Sequence, residues 1–248
     1  MPWNELTFGE RTFFPDVRRL REIKEVVYDK EFLATADMDM ELYYMFRDVS
    51  MDEEDAKEIK QRGLRYDITI IPPNTLGSEF VKTAGHYHPY PQGSHLPYPE
   101  IYEVLEGEAH YLLQRREEAG GVERITDVIV VEAKSGDKVL IPPNYGHVTI
   151  NPNKSTLKMA NWVARAFSSI YDPIKRRGGA AYFELITGTF IKNERYAKVP
   201  DLRYLTPSDI RIRGISLRTD VAMYELLREP EKLAFLVKPA GFFDNHVF

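Results

Sequence analysis

The sequence predicts an all-β protein whose strands close into a barrel or fold as two facing sheets. Two observations carry that expectation. From about Leu64 to Glu184, short β-type segments alternate with turn residues and little helix intervenes. The length, 248 residues, suits one large barrel with additions or two small domains, and one core is the first expectation. The chain changes character twice along its length. An N-terminal extension over 1–63 is expected to pack on a barrel over 64–185, with a C-terminal extension over 186–248.

In the first zone Val17-Arg18-Arg19-Leu20 leads into a helix expected over Arg21 to Tyr28. The run from Asp52 to Lys60 reads as a short solvated helix with Ser50 as N-cap. The barrel strands are expected at Tyr66 to Ile71, Glu79 to Thr83, Ile101 to Leu105, Ala109 to Gln114 and Val128 to Glu132. They continue at Lys138 to Ile141, His147 to Asn151, Leu157 to Ala164 and Ala181 to Leu185. Turn chemistry punctuates them at Pro72-Pro73-Asn74, Glu106-Gly107, Ala119-Gly120-Gly121, Ser135-Gly136-Asp137 and Asn151-Pro152-Asn153. Beyond Gly188, Pro207-Ser208-Asp209 marks a turn, and a helix is expected from Asp220 to Arg228, stopped by Pro230. Its apolar residues Val221, Met223, Leu226 and Leu227 suit packing on the barrel or on another subunit, and the sequence leaves that open.

Composition narrows the function. A 43% hydrophobic share with 15 Tyr, 13 Phe and 2 Trp can fill an interior, which excludes disorder across the whole chain. The 33 Lys and Arg against 38 Asp and Glu give a net charge of −5, so general nucleic-acid binding is not expected. No apolar run approaches the ~18 residues that span a bilayer, so membrane insertion is not expected either. The opening Met1-Pro2-Trp3-Asn4-Glu5 has no secretory character, and a cytoplasmic location is the expectation. There is no Cys, which excludes disulfides, thiolate-bound metal and thiol catalysis. Any metal must be held by His and carboxylate.

Three of the six His residues are grouped by motif. His86 and His88 lie in Gly85-His86-Tyr87-His88, and His147 closes Pro142-Pro143-Asn144-Tyr145-Gly146-His147. Residues two apart on a strand share a face, so His86 and His88 can aim two ring nitrogens at one point. Glu100 opens the next strand and can present its carboxylate there, and His147 would complete a three-His, one-Glu set. Alone, a His-x-His pair is more often exposed or hydrogen-bonded than metallated. His110 and His246 have no partners in sequence and read as structural or surface residues.

The spacing of these groups resembles the cupin superfamily. His86, His88, Glu100 and Gly107 match its first motif, and Gly136, Pro142, His147 and Asn151 its second. The resemblance implies a double-stranded β-helix, or jelly-roll barrel. The flanking text, Thr69 through Thr83-Ala84-Gly85-His86-Tyr87-His88, then Pro99-Glu100-Ile101-Tyr102 with Leu105, Gly107, Leu113 and Gln114, is similar to the cupin-type glucose-6-phosphate isomerases of archaea. That likeness covers roughly residues 16 to 185.

What the resemblance implies is an aldose-ketose isomerase interconverting glucose 6-phosphate and fructose 6-phosphate. The alternatives are another sugar-phosphate isomerase, such as one for mannose 6-phosphate, or a non-catalytic sugar-phosphate-binding cupin. One divalent metal ion per subunit is expected on His86, His88, Glu100 and His147, with Fe2+ first and Mn, Ni, Co or Zn also compatible. A homodimer is expected. Thr69, Thr83 and Gly85 are implied phosphate contacts, to which Lys82 adds charge if strand parity holds, since parity sets Lys82 with Ala84 and His86 and turns Thr83 and Gly85 to the other face unless a bulge near Ala84-Gly85 reorders them; both Thr residues are equally good ordinary strand formers. Tyr102 and Tyr171 are implied sugar contacts. Two hydrogen-transfer routes stay open: Glu100 as base through an enediol, or a direct hydride shift with Glu100 as ligand only.

Two departures from the family pattern stand out. Eleven residues, Pro89 to Pro99, separate His88 from Glu100, a longer loop than most cupins carry. Ser169 stands where better-known members have His, and His95 in the long loop is the nearby candidate to supply an imidazole. Arg165, Lys175, Arg176 and Arg177 can also reach a phosphate, although a solvated basic turn is the commoner fate of such a run.

Overall fold

The computed structural model describes residues 3–119, 122–212, 214–215 and 217–243. In chain order the strands are β1 (Leu6–Phe8), β2 (Arg11–Phe13), β3 (Asp16–Arg19), β4 (Glu41–Phe46), β5 (Leu64–Ile71), β6 (Thr75–Leu76), β7 (Glu79–Phe80) and β8 (Glu100–Glu106). They continue as β9 (Glu108–Ala119), β10 (Val122–Lys134), β11 (Lys138–Ile141), β12 (Tyr145–Ile150), β13 (Leu157–Ala164), β14 (Tyr182–Glu184), β15 (Phe190–Lys192) and β16 (Arg203–Leu205). One sheet has the order β11-β8-β13-β5-β4-β3, and the other β12-β9-β10-β16. All pairings are antiparallel except β10 with β16. This is the all-β cupin architecture, and the two sheets close around one cavity.

Strand parity explains what faces that cavity. On β5 the residues Leu64, Tyr66, Ile68 and Ile70 alternate with Arg65, Asp67 and Thr69. The polar set is the inner one: Arg65 and Thr69 line the cavity. The apolar set lies on the back of the sheet and is covered by both chain extensions. Tyr66 packs there on Trp162, Phe8 and Tyr224, with ring centroids 4.7, 6.1 and 5.0 Å away. Burying such rings on the outer face of a barrel is possible only because the extensions exclude water from it.

The N-terminal zone supplies strands as well as cover, since β3 and β4 hydrogen-bond into the six-stranded sheet. The expected helix over Arg21 to Tyr28 is shorter, an α-turn Leu20–Ile23 followed by a 3-10 turn Lys24–Val26. The charged helix runs from Glu53 to Gln61, and its N-cap is Asp52, whose Oδ1 accepts from Asp55 N at 2.8 Å. Ser50 lies too early to cap it and instead accepts from Arg11 at 2.6 Å. Nor is the helix wholly solvated. Asp55 is buried against the C-terminal segment, accepting from the Tyr224 hydroxyl at 2.8 Å and pairing with Arg228 at 2.6 Å.

That C-terminal segment is a 3-10 helix, Met223–Arg228, rather than the expected α-helix. Its main chain is claimed at the start: Met223 N donates to Glu103 Oε2 at 2.8 Å and Met223 O accepts from Trp162 Nε1 at 3.0 Å. Pro230 follows within two residues of its end, so no longer helix can form. Met223, Leu226 and Leu227 are buried on the chain's own barrel, which answers the question their pattern left open. No helix among the described residues is long and apolar enough to cross a membrane. His246 lies outside the described residues.

Candidate metal centre

The His-x-His segment is fixed by main-chain bonds to β12. Thr83 N donates to Thr149 O at 2.9 Å, and His86 and His147 exchange N–H to O bonds at 3.1 and 3.0 Å. This pairing sets the His86 and His147 rings 4.5 Å apart. The expected strand Glu79 to Thr83 is therefore split: only Glu79 and Phe80 form β7, and the chain reaches β12 farther on. Parity breaks at Gly85, whose φ of +74° suits glycine, and a Cβ there would stand 2.5 Å from Val148 Cγ2. Through that irregularity Thr83, Ala84, Gly85 and His86 all line the cavity. Lys82 turns the other way, onto the buried Glu79 carboxylate and 4.6 Å above the Phe183 ring, so it adds no charge to the site.

Glu100 enters from the opposite sheet. One ligand atom from each of His86, His88, Glu100 and His147 lies within 4.8 Å of the others. Glu100 Oε2 is 3.5 Å from His88 Nε2 and 3.7 Å from His147 Nε2. Its other oxygen accepts from Asn161 Nδ2 at 2.7 Å. His88 Nδ1 sits 2.8 Å from Tyr98 O, and a carbonyl there requires the proton on Nδ1, so Nε2 presents its lone pair. Thus two buried acceptors, His88 Nε2 and Glu100 Oε2, face each other, each without a hydrogen-bond partner. A cation between them would satisfy both, and the four donors are a set that divalent metals take.

The electrostatics agree. Burial, with the His88 and Arg47 charges, holds His86 well below the ordinary imidazole value. Burial holds His88 at about 4 against the upward pull of the Tyr98 carbonyl, and burial with the other two rings holds His147 well below its usual value. All three are neutral near pH 7, the form that binds metal. Burial, then the Asp67 carboxylate, pushes Glu100 up to about 8 in the metal-free chain. The Glu100 carboxyl therefore carries a proton near pH 7 until a cation replaces it. Loading the metal-stripped protein near pH 7 should release about one proton per ion, falling away above about pH 9. Titration calorimetry in buffers of differing ionisation enthalpy measures this, and zero release near pH 7 would contradict the protonated carboxyl.

The cavity holds about 530 Å³ of empty space counting its mouth. It gathers the implied substrate contacts Thr69, Thr83, Gly85, Tyr102 and Tyr171, together with Ser169. Tyr102 OH is 3.5 Å from His147 Nε2, and the Tyr171 ring lies 5.6 Å from His86. Thr83 Oγ1 already accepts from Thr149 N at 3.0 Å, which leaves its hydroxyl proton free to donate.

Other expected residues fall elsewhere. His95 is exposed on the long loop and is absent from the cavity lining, so the geometry gives it no place as a replacement imidazole. His95→Ala should leave turnover and metal content at wild-type levels; a clear drop in turnover would restore it to the site. His110 Nδ1 sits 2.9 Å from the Glu184 carboxylate, away from the cluster. Arg165 binds Leu64 O and Asp48, Lys175 binds Glu22 O, and Arg177 binds Arg195 O; none lines the cavity.

Arg47, Arg65 and Asn161, which motif reading passes over, do line the cavity. For Arg65 the signal is the alternation Arg65-Tyr66-Asp67-Ile68-Thr69, with the polar parity inward; Arg47 follows β4 and Asn161 lies on β13, where no such pattern marks them.

An antiparallel barrel that aims three imidazoles and a carboxylate at one interior point is a cupin with a candidate metal site. The family described as glucose-6-phosphate isomerase (GPI) matches residues 17–201, three-quarters of the chain. The chain belongs to that family. It is 33% identical to the glucose-6-phosphate isomerase of Thermococcus litoralis over 135 residues, which cover 54% of this chain and 62% of that relative. The Thermococcus kodakarensis enzyme of the same name is 29% identical over 163 residues, 65% of this chain and 76% of the relative. The first match thus spans less than two-thirds of the curated relative. A Bacillus subtilis oxalate decarboxylase structure overlaps 56% of this chain and 30% of its own, at 15% identity and a TM-score of 0.33.

Proposed function

We propose that this chain interconverts glucose 6-phosphate and fructose 6-phosphate with one divalent ion held by His86, His88, Glu100 and His147. The observation that supports this reading most is the pair of orphaned buried acceptors, His88 Nε2 and Glu100 Oε2, at the centre of a His and Glu cluster in a chain of this family. A bound divalent ion supplies Lewis-acid polarisation of substrate oxygens. Iron is our first expectation, although Mn, Ni, Co and Zn suit the same donors.

The chain's own residues do the rest. Glu100, released from ligation during turnover, takes the proton from C2 of the open-chain sugar and returns it to C1 through an enediol, while the hydroxyl proton on O2 passes to O1; a direct hydride shift with Glu100 as ligand only is the competing route. Asn161 keeps the Glu100 carboxylate in place by holding Oε1, so its second oxygen stays directed at the cluster. Tyr102 and Tyr171 orient sugar hydroxyls, and Thr69, Thr83 and the Gly85 amide take the phosphate. Phe167, edge-on to His88 at 4.6 Å, keeps water from that ring. In the cell we place the enzyme in the cytoplasm as a homodimer.

Fructose 6-phosphate formation in a coupled assay, before and after chelation, tests the reading. The protein should carry about one divalent ion per chain and lose activity with it. No ion after incubation with each candidate metal would end the proposal. Turnover of mannose 6-phosphate instead would favour the other isomerase. Binding without turnover of either sugar would leave a sugar-phosphate-binding cupin.

A further inference from the structure

We propose that Arg47 and Arg65, tied together by the buried Asp67, form a charged subsite for the phosphate monoester of the ligand. The inference rests on the sugar-phosphate reading above and deepens it. Asp67 has no solvent exposure. Its Oδ2 accepts from Arg47 NH1 at 2.7 Å and from Arg65 Nε at 2.9 Å, and its Oδ1 accepts from Asp48 N at 3.0 Å. The carboxylate thus accepts three hydrogen bonds, and one negative charge answers two guanidiniums. The cluster keeps a net charge of +1.

The unspent donors point to a ligand. An arginine carries five N–H groups in a planar fork that matches phosphate oxygens. Arg65 gives only Nε to Asp67, and among the described residues its two terminal nitrogens have no partner. Arg47 gives NH1 to Asp67, and its NH2 meets only the weak acceptor Met45 Sδ at 3.1 Å. Both side chains line the same cavity as His86 and Glu100. Their side chains are 37% and 20% exposed, so each keeps part of its surface accessible beyond the pairing with Asp67. Guanidinium donors turned toward a cavity are unfavourable unless something answers them.

Register places this charge beside the neutral phosphate contacts. Arg65, Asp67 and Thr69 share one face of β5, and Met45, two residues before Arg47, stands opposite Thr69. The Thr69 hydroxyl and the two guanidiniums thus converge on one region of the cavity. Hydroxyls and amides can orient a phosphate, but they do not neutralise a dianion. On a chain of net charge −5, the attraction has to come from local cations such as these. The bland alternative is that the arginines merely pin β4 to β5, and that role would require no free donors.

The test uses the full metal-loaded chain and inorganic phosphate as probe, measured by thermal shift and as a competitive inhibitor. Arg65→Gln and Arg47→Gln should each weaken inorganic phosphate and raise the KM for glucose 6-phosphate by about tenfold to a hundredfold, the size expected for a charge-assisted hydrogen bond. Metal content should be unchanged and kcat should move much less than KM. Folded, metal-replete variants with wild-type phosphate affinity would overturn the subsite. If a Gln variant fails to fold, Arg65→Lys decides, since charge without the fork should give intermediate affinity, and wild-type affinity would overturn the subsite. If the protein proves to have no isomerase activity, phosphate protection that is lost in Arg65→Gln still supports the subsite. Phosphate that protects the unmodified protein no better than chloride at equal ionic strength overturns it independently of that reading.

Discussion

Glu100→Gln should lower isomerase turnover by about 10²- to 10⁴-fold when metal is supplied to saturation, the range a positioned base contributes. The geometry explains why saturation matters. Glu100 Oε1 accepts from Asn161 Nδ2 while Oε2 faces His88 and His147. A glutamine has one oxygen for these two tasks. Its amide nitrogen must face either the Asn161 donor or the metal point, and each placement opposes two groups of like character. Weaker metal uptake is therefore expected in addition to slower chemistry, and metal content must be matched before rates are compared. Running the reaction in D₂O separates the routes. Deuterium in the product, with an inactive but metal-replete Gln variant, supports proton transfer by Glu100. Nearly complete internal transfer with an active variant would leave Glu100 as a ligand only, and the base assignment would fall.

His88→Ala and His147→Ala should remove metal and activity together. Loss of a residue that merely orients a ligand typically weakens metal binding by about 10- to 100-fold, and loss of a ligand itself should exceed that. Each substitution also leaves buried groups unanswered. His88→Ala strands the Tyr98 carbonyl and removes the ring against which Phe167 packs. His110→Ala is the control, because its partner is Glu184 and it lies apart from the cluster. Metal analysis and turnover on all three variants check the assignment. Full metal content in His88→Ala or His147→Ala would remove that residue from the ligand set.

The ligand cluster was legible in sequence because its members fall at the fixed spacings of two motifs, although only Glu100 and His147 sit on full strands and His86 is held by a single bridge to His147. His86 and His88 are two apart, Glu100 opens β8, and His147 lies on β12. The strands Lys138 to Ile141 and Leu157 to Ala164 match their expected limits. The rest depended on contacts far apart in the chain. Alternation on β5 announces one apolar and one polar face, and the ordinary inference sends the polar face outward. Here the apolar face is covered by Phe8 and Tyr224, which no local pattern in β5 can reveal, and so Arg65 and Asp67 turn inward. The strand at Glu41 to Phe46 was hidden for a related reason. Leu42 to Phe46 are buried on both faces, which erases the alternation by which a strand is read. Lys82 illustrates a third limit: the irregularity at Gly85 reverses parity partway along a segment.

The long loop between His88 and Glu100 is pinched at its base, where Tyr98 N donates to Pro89 O at 2.9 Å and Tyr98 O receives His88 Nδ1. Both bonds on the Tyr98 side use main-chain atoms. Any non-proline residue at position 98 can make them, while the Tyr98 side chain adds packing against Val163, Ala164 and Phe167. Residues such as Ser94 and His95 lie beyond the neck, and change there does not reach the ligand through the chain. Exchange at the exposed tip of the loop can therefore leave the ligand cluster below it intact, provided that Leu96 keeps its buried place in the core.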